Sequence, residues 1–212
     1  MNGILIKSYL IPKIVAREKT VTRRVIQIHP DNFSICKDHP HCFIWDFNNS
    51  HYIFKPRYHV DEVVYVKETY TYVTLAEKDP WKDRAIADGS FRRKPDGSPV
   101  AMRYKLDGYE PAKWETPLFM PAWAARYFIQ ITDVRPERLQ DIWIKDAIAE
   151  GFSLDLNMQH FGTYKDPITK FTEAWDSINP DYPFDSNSWV FRYAFKYLPD
   201  YKYELSSHTR LI

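Results

Sequence analysis

The chain has 212 residues, 44% hydrophobic and 17% aromatic against 27% charged, which excludes a disordered segment short of apolar surface and fits one large domain or a core domain with insertions. Its 29 Lys plus Arg nearly cancel its 28 Asp plus Glu, so any nucleic-acid surface must be a local patch. Two cysteines are too few for a disulfide framework, the MNGILIKSYL start is unlike a signal peptide, and no apolar run approaches the ~20 residues of a membrane span; a cytoplasmic protein without membrane contact is expected.

In chain order, Ile4 to Ile6 reads as a short strand, Pro12 to Lys19 as a brief helix with proline in its first turn, and Thr20 to about Ile28 as a strand. The stretch from His29 to His59 holds five of the seven histidines and both cysteines without a clean period, and is read as an inserted loop region. Within it Cys36, His39, His41 and Cys42 invite a zinc reading. Their C-x2-H-x-H-C spacing is tighter than that of ordinary structural sites, and adjacent His41 and Cys42 would strain joint chelation, so no metal or other cofactor is expected.

Val63 to Val73, VVYVKETYTYV, is rich in β-branched and aromatic residues and reads as one strand, with Val64, Val66, Glu68, Tyr70 and Tyr72 on one face. Glu68 thus interrupts an apolar face. Residues 74–113 read as a second insertion, in which FRRKPDGSPVAMRYKL forms a hairpin turning at Pro95-Asp96-Gly97, its arms carrying Arg92, Arg93, Lys94, Arg103 and Lys105. Such a hairpin could contact phosphates, or simply be solvated. Residues 126–134 alternate as a half-buried strand, Lys145 to Glu150 reads as a helix stopped by Gly151, and a second helix follows Asp166-Pro167 with the stripe Ile168, Phe171, Trp175, Ile178. Trp189 to Tyr197 shows strict period-2 alternation. About five strands and a few short helices predict an α+β protein, a small barrel with helices at its ends.

The segment KTVTRR, Lys19 to Arg24, puts a lysine, two threonines and two arginines where a helix should hand over to a strand. If it is extended, Thr20, Thr22 and Arg24 share a face and Arg23 points the other way. Those donors suit an anion or a base edge; a solvated strand start is the alternative. Trp114, Trp123 and Trp189 could stack on a base or fill a core, and Arg126 could line a cleft or form a surface ion pair.

At this point the residues resemble the ASCH domain, a relative of the PUA-like barrels, and in particular its longer phage and prophage members. Lys19-Thr20-Val21-Thr22-Arg23-Arg24 is similar to the family's lysine-threonine-x-threonine-arginine-arginine signature, and Val64 to Thr69 to its strand ending in valine, a basic residue and glutamate. Trp114, Pro117, Met120, Pro121, Trp123 and Arg126 resemble the phage subgroup's pattern, Asp133 to Arg135 and Glu137 to Ile142 its following segment, and Glu150-Gly151 its helix end. Val60 stands where a glycine is usual before Asp61, and Trp143 where a helix-capping serine or threonine is usual.

The resemblance implies a single PUA-like domain over residues 1–200, with a barrel of five or six strands, insertions at about 29–59 and 74–113 and a tail from 201 to 212. It implies recognition of RNA, a nucleotide or a modified nucleoside in a cationic cleft, with Arg23, Arg24, Glu68, Trp114 and Arg126 as binding residues. One small bacterial branch hydrolyses N4-acetylcytidine to cytidine and acetate, and its functional lysine, threonine and glutamate would fall on Lys19, Thr22 and Glu150. In that reading Lys19 is the base, Thr22 the nucleophile or water holder, and Glu150 the proton shuttle. Binding without turnover is the other reading, and ribonuclease action a third.

Overall fold

The computed structural model describes residues 1–27, 32–35, 43–47, 50–76, 78–153 and 165–203, the strands between 32 and 54 by backbone alone. In chain order its elements are β1 (Gly3–Leu5), α1 (Ile11–Val15), β2 (Val21–Val25), β3 (Asn32–Ile35), β4 (Phe43–Phe47), β5 (Ser50–Phe54), β6 (Val63–Lys67), β7 (Tyr70–Thr74), α2 (Trp81–Ala87), β8 (Phe91–Arg93), β9 (Pro99–Tyr104), β10 (Phe128–Arg138), α3 (Ile144–Ala149), α4 (Pro167–Ile178) and β11 (Trp189–Tyr197), joined partly by 3-10 turns. The fold is α+β. Its chain divides into two compact units, one made of Met1–Ile11, Val63–Ile129 and the chain from Leu198, the other of Pro12–Glu62 and Gln130–Tyr197. Among the described residues no helix is long and apolar enough to cross a membrane.

In the first unit β1 runs parallel to β6, with Ile4 opposite Val66, and the Val66 N–H donates to the Tyr127 carbonyl at 2.9 Å. A second sheet has the order β7-β9-β8, antiparallel throughout. The core between them gathers Tyr65, Tyr70, Met102, Tyr104, Met120 and Phe128. Two of its tyrosines bury their rings only because each hydroxyl finds a carbonyl: Tyr65 donates to Met120 at 2.8 Å and Tyr104 to Ala124 at 2.7 Å. The hairpin of β8 and β9 turns where Pro95-Asp96-Gly97 predicts, with Gly97 at φ 84° and its N–H donating to Lys94.

In the second unit β2 pairs antiparallel with β11, Thr22 opposite Tyr193 and Arg23 opposite Arg192. Leu139, Ile142, Ala147, Phe171, Trp175 and Val190 form the core that α3 and α4 cover. The Asp166 carboxylate caps α4 as expected, accepting from the Ile168 and Thr169 N–H groups at 2.8 and 3.2 Å. Gly151, at φ 98°, ends α3 in the left-handed conformation its sequence position predicts. At the other end of α3 Trp143 supplies no side-chain cap, and the Asp146 carboxylate accepts from the Trp143 N–H at 3.4 Å. Beside Val60 it is Asp61 that adopts a positive φ, 67°.

Four expectations are corrected. The predicted strand Val63 to Val73 is two strands in different sheets, broken at Glu68-Thr69 because a buried carboxylate must leave an apolar face to reach its partner. The region 29–59 contains β3, β4 and β5, an antiparallel three-stranded sheet; β3 alternates over only four residues and β4 and β5 do not alternate, so no period ran through the stretch. Helix α2 lies in the 74–113 stretch unannounced. Finally β10 continues to Arg138 rather than ending near residue 134. The cluster Cys36, His39, His41 and Cys42 lies outside the described residues.

Candidate functional site

Lys19 follows the turn after α1 and is 2% exposed. Its ammonium has three oxygen partners: Glu150 Oε2 at 2.6 Å, Val21 O at 2.7 Å and Glu150 O at 2.9 Å. The backbone locks the same geometry, since the Thr20 N–H donates to the Ala149 carbonyl at 2.8 Å. Burial pushes the Lys19 amine below its ordinary pKa, opposed by the charge and hydrogen bond of Glu150 and reinforced by Arg24 and Arg23. Three acceptors match the three donors of the protonated amine.

Arg23 points to the same side as Arg192 and is buried. Its Nε and one terminal nitrogen meet Glu137 Oε1, both at 2.7 Å, and the other terminal nitrogen meets Glu150 Oε1 at 3.1 Å. Its guanidinium also lies 5.8 Å from the Phe171 ring centre. Asp146, 4.0 Å from Arg23 and 3.5 Å from Arg192, completes an internal ion network. Glu150 thus serves two cations at once.

Thr22 and Arg24 occupy the other face of β2, as alternation requires. The Arg24 guanidinium donates to Thr22 Oγ1 and to the Arg23 carbonyl, each at 2.9 Å. Burial lowers the Arg24 pKa, against which Tyr58, Glu150 and Tyr193 act while Arg57 adds to the lowering. Tyr58 and Tyr193 meet edge to face with ring centres 5.3 Å apart, and the Tyr193 hydroxyl accepts from the Arg57 N–H at 3.2 Å. Burial pushes the Tyr193 phenol up to about 12.

Glu68, Trp114 and Arg126 belong to the first unit, so the sequence-derived set falls into two groups. Glu68 is 2% exposed, and burial raises its carboxyl pKa against the pull of Arg126. The two form a bidentate pair at 2.9 Å for both bonds, and Arg126 also holds Asp107 at 2.8 and 3.0 Å. Burial opposes the Arg126 charge, but Glu68 and Asp107 outweigh it and raise its pKa. The guanidinium stacks 4.0 Å from the Tyr104 ring centre. Trp114 is half-buried against Tyr109, edge to face at 6.4 Å.

The sequence reading grouped Lys19, Thr22 and Glu150 in one site and paired Thr22 with Arg24; the structure joins Lys19 to Glu150 and Thr22 to Arg24. The Thr22 hydroxyl takes its hydrogen bond from Arg24, not from Lys19. Missed were Glu137, Asp146, Tyr58, Tyr193 and Asp107. Glu137 lies on β10 and Asp146 within α3, and neither their spacing nor that of Asp107 gave a local signal. Comparison with known proteins gives no match: no family model, no curated sequence and no solved structure matches this chain.

Proposed function

We propose that this chain is an ASCH-type protein that recognises RNA or a modified nucleobase through the Thr22–Arg24 face of β2, in the PUA-like barrel that such a relationship implies. The observation carrying this reading is the division along KTVTRR. On one face Lys19 and Arg23 are held by Glu150 and Glu137; on the other Thr22 and Arg24 are hydrogen-bonded to each other, beside the buried rings of Tyr58 and Tyr193. A hydroxyl, a planar fork of donors and neighbouring aromatic rings are the groups that read a base edge.

Hydrolysis of an N4-acyl cytidine would need the Lys19 amine to surrender a proton and offer its lone pair. Three oxygens within 2.9 Å favour the ammonium instead. Lys19 and Glu150 then hold the strand start against the end of α3, which supports recognition without turnover even though burial lowers the Lys19 pKa.

The test pairs binding of single-stranded RNA, followed by fluorescence anisotropy, with assay of acetate release from N4-acetylcytidine. Saturable binding is expected, weakened about tenfold in Arg24→Ala and with a salt slope reduced by about one, and no acetate release. Unchanged affinity in Arg24→Ala defeats the proposal. Acetate release abolished in Thr22→Ala replaces it with the hydrolase reading.

A further inference from the structure

The first unit contains an open cavity of about 660 Å³ that none of the foregoing uses. It is built by the 74–113 segment: α2 contributes Trp81 and Arg84, the following turn Asp88 and Ser90, β9 Arg103, and the turn after it Tyr109. Its size lies within the range of ligand pockets, about 300–1,000 Å³.

Trp81 is 60% exposed and Tyr109 41%, so two large rings stand open at the rim where burial would normally hide them. A guanidinium lies near each: Arg84 is 5.5 Å from the Trp81 ring centre and Arg103 is 5.9 Å from that of Tyr109. Among the described residues neither arginine has a carboxylate within ion-pair distance. Arg126, the third arginine of the lining, is held by Glu68 and Asp107 and acts as a strut. Arg92 donates to Gly89 O at 2.8 Å and so brings a further cation to the turn beside the cavity. Asp88 and Ser90 add oxygens: the Asp88 side chain accepts from the Ser90 N–H at 2.9 Å and feels the charges of Arg84 and Arg103, and the Ser90 hydroxyl accepts from Arg103 at 3.1 Å.

The geometry points to a second binding site, for a nucleotide: an aromatic base against Trp81 or Tyr109 and its phosphate at Arg84 and Arg103. Aromatic faces interleaved with arginines are how sequence-tolerant sites hold single strands. The nucleotide could be free or part of an RNA strand. This site shares no residue with the Thr22–Arg24 face.

Two probes separate those sources: a nucleoside 5′-monophosphate by calorimetry and a short single-stranded RNA by anisotropy, each with wild type, Trp81→Ala, Trp81→Phe, Arg84→Ala and Arg24→Ala. Trp81→Ala is expected to weaken binding about tenfold, Trp81→Phe to restore most of it, and Arg84→Ala to lower the salt slope by about one. Loss for the monophosphate identifies a free-nucleotide site; loss for the RNA alone identifies a strand contact. Unchanged binding of both probes in Trp81→Ala and Arg84→Ala overturns this site, whatever Arg24→Ala does. Unchanged binding in Arg24→Ala with loss in Trp81→Ala removes the β2 face and leaves this site standing.

Discussion

The Lys19–Glu150 and Glu68–Arg126 clusters solve the same problem in opposite ways. In the second unit one carboxylate, Glu150, neutralises two cations, Lys19 and Arg23; in the first, one cation, Arg126, neutralises two carboxylates, Glu68 and Asp107. The first arrangement is sealed, with Lys19 and Glu150 side chains 1% and 5% exposed, while Arg126 is 19% exposed and Asp107 half open. Removing one partner from a sealed cluster strands a charge, whereas water can reach the edge of the other. A dense run of basic residues is therefore not one functional patch: here the same six residues supply an ion network on one face of a strand and a hydrogen-bonded Thr22–Arg24 pair on the other.

The largest effect should come from Glu150→Gln, which keeps the shape but leaves Lys19 and Arg23 short of a charge; urea unfolding should show a loss of about 3–5 kcal/mol. Arg126→Ala, which strands Glu68 at a solvent-reached edge, should cost less, about 2–3 kcal/mol by the same measurement. Equal losses would break the contrast between sealed and open clusters. The smallest effect is pH-dependent and belongs to the Thr22 face. Tyr193 titrates near 10 when unfolded and at about 12 when folded, so its stabilisation is complete below the unfolded value and is lost as pH rises toward the folded one. Between about pH 9 and about pH 11 the wild type should therefore lose roughly 1 kcal/mol more than Tyr193→Phe. Parallel curves for the two proteins would show that the phenol is not buried beside Arg24.

Legibility in the sequence followed the strength of local signals. Trp189 to Tyr197 alternates so regularly that β11 has the expected bounds, and the Asp166-Pro167 start and Gly151 stop are local chemistry that tertiary structure left alone. By contrast Val63 to Val73 satisfies strand propensity along its whole length, and only the pull of Arg126 on Glu68, 58 residues away in sequence, shows why it must break. The strands within 29–59 failed to register because β3 alternates over only four residues and β4 and β5 do not alternate.

What the sequence alone determined is the alternation on β2, hence that Thr22 and Arg24 share one face and Arg23 points to the other, because backbone pleating follows from extended residues without reference to the rest of the chain. What only the tertiary structure decided is what neutralises Arg23. That depends on Glu137 and Glu150, more than 110 residues away from Arg23 in sequence, since Coulomb and desolvation energies are set by distance and burial in space, quantities that no local spacing encodes.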